Sequence, residues 1–439
     1  MITKIYRVTD LGPGDGGKGG IIQALTQKVN AKLVIKEGGA QGSHGVVGRY
    51  GNFCFSQWGC GTLDRVPTYL SPNFVMSPTG IILEAEALEM FDPGLKPFSL
   101  ISVAGNCVCA TPYHQAWSNL YELLLKDKPH GTVGTGVGKA FKEFLESPNR
   151  VIYANELKNE FIVREKLKAS REFLLKKYSG VYYADVLPKD IKRLHESQEI
   201  LNKDEIFEDI VKKFLFVGEK LVIEHFEDVL KRFNGNALIE RSHGVLTDRK
   251  AGFKPHVSNL RTLPNVSDEM LKNANWTGQV INLGVHRAYE IRHGAGPMPT
   301  TDDKIRASLL PNSHKMANRW QGEVRVGALD VNLLRYALNA CGGADYFDGL
   351  CITWFDQIIK NKEWKICTHY LLDGKIYPEN GELTTEILNR VEPVITSLII
   401  PELSQNELVD WCQEVLSNFI GLPVRLVSLG PAPEHKIFI

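Results

Sequence analysis

The chain opens on a β-prone run around Ile5, Tyr6, Val8 and Leu11, crosses a glycine cluster from Gly12 to Gly20, and continues with Ile21, Ile22, Leu25 and Val29 at helical spacing. A second β-prone run, Leu33 to Ile35, follows. Strand, glycine-rich loop, helix and strand in this order make a βαβ unit, which demands a parallel sheet and places ligands at the carboxyl ends of its strands. Function is therefore expected in the loops after Leu11 and Ile35. Further strand-like runs at Ala237–Ile239, Val280–Leu283, Leu350–Thr353, Lys365–His369 and Val424–Ser428 predict a large, mostly parallel sheet that gathers strands from the whole chain. From about 155 to 233, alternating charge interleaved with leucine, isoleucine and phenylalanine at three- and four-residue spacing predicts an amphipathic helical excursion, its charge runs being solvated faces. The expected organisation is α/β, a single domain over residues 1–439 that carries this excursion.

Charge excludes some classes of partner. Lysine and arginine total 51, aspartate and glutamate total 51, and the net charge is zero, which leaves no bulk field to hold nucleic acid or anionic lipid. No apolar run approaches the roughly eighteen residues that cross a bilayer, and Met1 to Val8 has no secretory pattern. The expected compartment is the cytoplasm. Eight cysteines in 439 residues are too sparse for a disulfide framework, and the spacings of Cys54 and Cys60 and of Cys107 and Cys109 match no zinc knuckle.

Two loops carry the chemistry. Gly12, Gly17 and Lys18 satisfy the GxxxxGK part of a phosphate loop, in which backbone amides approach phosphate oxygens and the lysine supplies positive charge. Gly19 stands where the usual loop has a magnesium-binding Ser or Thr, and Asp15 places a carboxylate inside the loop, where only a metal ion or a catalytic task explains it. The second loop, Gly38 to His44, presents a histidine among small residues, suited to donate to charge developing on a phosphoryl group. Asp15 and His44 follow strands consecutive in sequence, which is expected to bring them together.

Gly14 to Gly19, GDGGKG, resembles the GDEGKG loop of adenylosuccinate synthetase, and GGAQGSH, from Gly38 to His44, resembles that family's GGxNAGH. The likeness stays collinear over nearly the full chain. HGTVGTGVG at 130–138 resembles GTTxRGIG, and ERSHGVLTDRKAGFKPHVS at 240–258 resembles EGAQGTLLDIDxGTYPFVTS. RAYEIRHGAGPMPT at 287–300 resembles KAYxTRVGAGPFPT, the most specific single match. Gly327–Asp330, Thr353–Asp356 and Ser428–Pro431 resemble GWLD, TKLD and STGP.

The resemblance implies a GTP-dependent ligase that phosphorylates the 6-oxo group of IMP, or of a close purine analogue, and displaces that phosphate with the amine of aspartate. It assigns Asp15 as the base that removes the purine N1 proton, and Lys18 and His44 as groups that stabilise the transferring phosphoryl. Magnesium would be held by Asp15 and the backbone carbonyl of Ser43. The donor nucleotide would lie against Gly14, Gly16, Gly17, Lys18, Gly19, Gly20, Ser43 and His44, with its base near Asp356, Ser428 and Gly430. The purine monophosphate would meet Asp15, Gln41, Gly42, Val133, His243 and Ser258, and the amine substrate Gly322, Glu323 and Arg325. A homodimer is implied, with small molecules as its only other partners.

The departures from the family pattern define the alternatives. Gln41 replaces asparagine, Ser258 threonine, Val133 a phosphate-binding threonine and His243 a glutamine near the base. The arginine lent across the family's dimer interface has no clear counterpart, with Arg150 as a displaced candidate. Where the family reads TTGRxRR, this chain has Trp320 to Arg325, one residue shorter. Glu323 is then expected to repel an acidic amine, unless Arg319 fills in from upstream. Trp354 replaces a lysine and is expected to lie against the donor base. A paralogue using another amine or nucleotide, or ATP as donor, stays open, as does a non-catalytic nucleotide-binding protein. Asp15, Lys18 and His44 together count against the last, and Asp15 counts against the phage branch that uses deoxyguanylate.

Overall fold

The computed structural model describes residues 1–126, 130–181, 186–310 and 321–439. Its main sheet is built on strands β1 (Ile2–Asp10), β2 (Ala31–Gly39), β3 (Thr68–Met76), β4 (Ile101–Val103), β5 (Val222–Ile223), β6 (Gly235–Arg241), β7 (Gln279–Arg287), β8 (Gly349–Thr353), β9 (Val424–Ser428) and β10 (Lys436–Phe438). They lie in the order β10-β9-β8-β7-β1-β6-β2-β3-β4-β5. Every neighbouring pair from β9 to β5 is parallel, β10 runs antiparallel on the edge, and off this row the short strand Val108–Cys109 pairs parallel with β3 and antiparallel with Ile152–Tyr153. The mostly parallel α/β reading of the sequence holds.

Two expectations change. Sequence order places β2 next to β1, but β6 is inserted between them, pairing Val8 with Glu240 on one side and Arg241 with Glu37 on the other. The run at Lys365–His369 belongs to a separate four-stranded sheet, in the strand Glu363–Leu372 that pairs antiparallel with Glu392–Ile399. The first is invisible to local pattern because the pairing joins segments more than 200 residues apart, and the second because alternation along a strand does not say which sheet it joins.

Helix α1 (Lys18–Lys28) starts at the end of the glycine loop and buries Ile21, Ile22 and Leu25 in the core that also takes Ile5, Val8, Leu33 and Ile35. A second core, around Leu334, Trp364 and Cys412, closes over the far end of the sheet. Helices at Glu160–Tyr178, Pro188–Asn202 and Asp204–Lys220 occupy much of the charged stretch. The first buries Val163, Leu167 and Leu174, while Arg164 pairs with Glu160 and Glu208 at 2.7 Å on its outer side. Seven of the eight cysteines are buried and only Cys54 is exposed, as packing residues should be.

Gly244 shows how tightly the loops after β1 and β6 are pressed together. A Cβ added there would lie 2.2 Å from the Gly12 carbonyl oxygen and 2.5 Å from the Gly14 nitrogen, both backbone atoms that cannot step aside. Gly45, by contrast, has nothing within 4 Å. Gly244→Ala is expected to cost about 3 kcal/mol or more in chemical denaturation, whereas Gly45→Ala should stay within about 1 kcal/mol of the parent. Equal effects from the two would remove this account of loop packing.

Candidate functional site

The glycine loop is organised from beneath by Asp10, the last residue of β1. Its buried carboxylate accepts the Gly12 and Gly16 amides at 2.9 Å each and the Lys18 ammonium at 2.6 Å. Burial opposes its charge, but Lys18 and the two amides hold the carboxyl below its ordinary range. Gly14 and Gly17 take φ of 108° and 84°, and the Gly17 position faces Thr353, whose hydroxyl donates to the Gly16 carbonyl at 2.8 Å. Lys18 is thus paired with Asp10, and a phosphate oxygen must share or displace that partner.

His44, at the end of the second loop, is buried beside a second carboxylate. Its Nδ1 lies 2.5 Å from Glu240 Oε1, at the end of the inserted strand β6. Lys36 reaches the same oxygen at 2.7 Å, and the Cys60 amide donates to Oε2 at 2.8 Å. Burial, with the Lys36 charge, pushes His44 down to about 4, so the imidazole is neutral and donates from Nδ1. Glu240 stays ionised, burial being overcome by Lys36 and His44. His44, Cys60 and Glu240 place ligand-type atoms within 4.8 Å of one another. The Lys36 ammonium already supplies the positive charge that a metal would bring there.

Asp15 stands at φ 63° with its side chain 31% exposed. Its Oδ2 lies 3.2 Å from Arg287 Nη2 and 3.1 Å from His293 Nε2, while Arg287 Nε donates to the Asp15 carbonyl at 2.6 Å. The Arg287 guanidinium lies 4.3 Å from the Trp354 ring centre. Trp354, expected against a bound base, therefore has Arg287 on its ring. Asp15 and His44 do lie at one carboxyl edge. They are joined through Lys18, which acts electrostatically on His44, and through the first turn of α1, where Gly19 packs against the His44 and Gly45 backbone.

Asp356 and Ser428–Gly430 follow the ends of β8 and β9, which are parallel neighbours, so they lie at one edge of the sheet. Asp356 accepts the Gln357 amide and has Lys360 at 3.6 Å, and Ser428 donates to the Gly430 carbonyl at 3.0 Å. On the opposite side, Gln41 contacts His243, which burial and Lys18 hold near 4. The Gly39 and Gly42 positions abut Gln41 and Ser242 respectively, the Ser258 amide donates to Thr247, and Asn259 reaches the Gly138 carbonyl at 3.1 Å, so the helix Val137–Glu146, which follows the loop containing Val133, packs on this side. Val133 itself is 38% exposed. Arg150 turns inward instead, with Nε 2.5 Å from Glu143 and its guanidinium over Phe173.

The amine region differs from expectation. Glu323 is 67% exposed and pairs with Arg306 at 2.6 Å, so it faces outward instead of placing a buried charge in a pocket. Arg325 Nη2 donates to the Gly294 and Gly296 carbonyls at 2.8 and 2.7 Å, and Arg292 reaches Ala295 and His256. Burial and the neighbouring Arg325 push Arg292 down to about 10. Neither arginine has a carboxylate partner among the described residues. Gly322 is open at φ 68°, and Arg319 and Trp320 lie outside the described residues.

A model of adenylosuccinate synthetase matches residues 8–437 of this chain. The chain belongs to the adenylosuccinate synthetase family. It is accordingly a ligase that forms a carbon–nitrogen bond. The adenylosuccinate synthetase of Hamiltonella defensa is 26% identical over 441 residues, covering 97% of this chain and 95% of that one. The Vibrio vulnificus enzyme is 26% identical over 447 residues with the same coverage. Among solved structures, fully ligated adenylosuccinate synthetase from Plasmodium falciparum matches with a TM-score of 0.78 at 19% identity over 99% of both chains. Cyanophage S-2L succinoaminodeoxyadenylate synthetase, bound to dGMP and to dATP as an energy donor, matches at 0.59 and 12% identity, over 100% of this chain and 96% of that one. At these identities the structures carry the fold alone.

Asp10, Lys36, Glu240, Arg287 and His293 were missed as site residues by sequence reasoning. His293 had a readable signal, since it stands where the family motif KAYxTRVG has valine. His293→Val is expected to lower kcat about tenfold or more while leaving donor-nucleotide KM within about twofold, because a hydrogen bond to a charged carboxylate is lost. Unchanged steady-state kcat would remove His293 from the site.

The depressed histidines also set a stability profile. His44 and His243 stay neutral in the fold down to about 4, whereas in the unfolded chain they protonate near 6.5. Their contribution is present above 6.5 and is lost as pH falls toward 4. Unfolding free energy should decline across that window, and His243→Gln should flatten the decline. An unaltered slope in denaturant titrations at successive pH values would contradict the assignment.

Proposed function

We propose that this protein couples the 6-position of IMP, or of a close purine analogue, to the amine of aspartate at the expense of GTP. The observation that carries the reading is Asp15, a carboxylate inside a phosphate loop, held by Arg287 and His293 and still partly exposed. A loop that only binds phosphate gains nothing from a negative charge there, whereas a loop that deprotonates its substrate needs one.

The reaction then runs in two balanced steps. Asp15 removes the N1 proton, O6 attacks the γ-phosphorus, and the bond to the β-phosphate oxygen breaks to release GDP. The amine next attacks C6, loses a proton, and the C6–O bond breaks with departure of phosphate. Lys18 and His44 flank the transferring group. Glu240 holds His44 by Nδ1, which leaves Nε2 as the edge toward a ligand. Phosphoryl charge beside His44 would oppose the burial and the Lys36 repulsion that hold it neutral, and so would favour the imidazolium. The Asp15 carboxylate and the Ser43 carbonyl are hard oxygen donors of the kind that suits magnesium, which keeps its remaining positions for water and phosphate. Bound there, the ion would neutralise charge on the donor phosphates.

Arg292 and Arg325 favour aspartate over a neutral amine. They are two guanidiniums in one region, without an acidic partner among the described residues, and they await anionic charge. The outward pair Glu323–Arg306 removes the repulsion expected from the loop sequence. The family resemblance further supports a homodimer acting on small molecules. Among the described residues no helix is long and apolar enough to cross a membrane.

Phosphate release with magnesium, GTP, IMP and aspartate tests the reading, with the product weighed by mass spectrometry. Asp15→Asn should abolish turnover and keep nucleotide affinity within about tenfold, because the amide preserves shape but cannot take a proton. Near-normal turnover of that variant, or a product of unchanged mass, would refute it.

A further inference from the structure

The lysine under the loop Ser428–Ala432 has no role in the proposed chemistry, yet it is among the most heavily coordinated cations of the fold. Lys436, on the edge strand β10, is buried, and its Nζ donates to the carbonyls of Gly430 at 2.6 Å, Pro431 at 3.1 Å and Ala432 at 3.1 Å. An ammonium has three N–H groups, so all are used. No carboxylate among the described residues pairs with it directly. Burial pushes it down to about 8, with Asp356 the main opposing charge. Its stem lies 3.3 Å from the Cβ position of Gly20, in the first turn of α1, so it is wedged between the phosphate loop and the Ser428–Ala432 loop.

This arrangement sorts the polar groups of the loop. The Gly430 carbonyl also accepts the Ser428 hydroxyl, and the Ala432 carbonyl also accepts the His435 amide, so both are filled. Of the amides, Leu429 donates to the His435 carbonyl and Ala432 to the His435 ring, while Pro431 has none. The Gly430 N–H alone has no acceptor among the described residues. What the loop can offer a ligand is therefore chiefly a donor. Asp356, in the first turn of the helix Phe355–Asn361 that follows β8, offers an acceptor.

We propose that Lys436 determines which purine base the phosphate donor carries, by binding the loop carbonyls so that the base edge meets the Gly430 N–H and the Asp356 carboxylate. This rests on the reading that the donor base lies between Asp356 and the Ser428–Ala432 loop. Guanine fits that pair, with O6 accepting from Gly430 and N1–H and the 2-amino group donating to Asp356. Adenine presents the reverse polarity at both points. Its 6-amino group would face the Gly430 N–H and its N1 would face the carboxylate, while the carbonyls able to accept an amine are held by Lys436. Mismatched buried polar groups are the strongest source of discrimination between similar ligands.

The test measures GDP and ADP affinities by calorimetry on the full-length protein, with Asp356→Asn, Lys436→Met and Lys436→Arg beside the parent. The parent should prefer GDP. Lys436→Met should reduce the GDP-to-ADP preference about tenfold or more, with ADP binding held or improved, and Lys436→Arg should retain most of it because a guanidinium still donates to carbonyls. A merely structural lysine would weaken both nucleotides alike, and that outcome overturns the proposal. If Asp356→Asn lowers the preference and Lys436→Met does not, the base site stands and the role of Lys436 falls. If Asp356→Asn changes nothing, the base site itself is misplaced and the inference falls with it. Should Lys436→Met fail to fold, Lys436→Arg still decides: a preference lost there despite full stability contradicts the carbonyl-holding role.

Discussion

Asp10 is a buried negative charge at the end of the central strand, and the loop above it is shaped by the need to satisfy that charge. Removing a carboxylate from water costs several kcal/mol unless donors replace the solvent. Here two loop amides and the Lys18 ammonium do so. The Gly12 and Gly16 amides point down, and the chain between them bulges upward through Gly14 and Asp15 at positive φ. The partly exposed carboxylate of Asp15 is thus a geometric consequence of the buried one beneath it. Lys18 has a consequence too: its charge is shared with Asp10 before any nucleotide arrives, so donor binding exchanges one anionic partner for another and the net gain from that lysine is smaller than in an open loop.

A second buried carboxylate repeats the device one strand away. Because β1 pairs with β6 at Val8 and Glu240, the two acidic strand ends sit on one rigid edge. Glu240 gathers Lys36, His44 and the Cys60 amide from three different segments. Breaking such a network by removing one member leaves the others buried and uncompensated, so these positions tolerate exchange poorly even where none touches substrate. The insertion of β6 between β1 and β2 therefore does more than widen the sheet. It brings the group that fixes the orientation of His44.

The loops were legible in the sequence because their conformations demand glycine: Gly14, Gly17 and Gly38 all have positive φ, and little else fits. The parallel sheet was legible because strands buried on both faces read as continuous apolar runs. Lys36, Glu240 and Arg287 were not, since a single charge in an apolar run looks the same whether it faces solvent or a partner 200 residues away. The orientation of Glu323 was equally hidden. Its neighbour Arg306 lies on the helix Asp303–Leu309, and no local rule says that the loop at 321–325 folds back on it. The strand Glu363–Leu372 had the right local pattern, but pattern does not say which sheet a strand joins.

Arg287 connects two parts of the site that the sequence presents separately. It ends strand β7, stacks on Trp354 from the loop after β8, bonds the Tyr289 hydroxyl, and holds both the carbonyl and the carboxylate of Asp15. A guanidinium suits this task where an ammonium does not, because its flat face packs on indole while its edge still donates in the plane. The pairing of Arg287 with Trp354, where the family motifs carry lysine at both positions, is then one change in two places. Two lysines side by side would repel, whereas an arginine on a tryptophan attracts by roughly 0.5–2 kcal/mol depending on desolvation. Trp354 is two residues from Asp356, the residue proposed to read the donor base. The contacts of the indole with the guanidinium, and of the guanidinium with Asp15, thus run in one unbroken chain from the segment that carries Asp356 to the glycine loop.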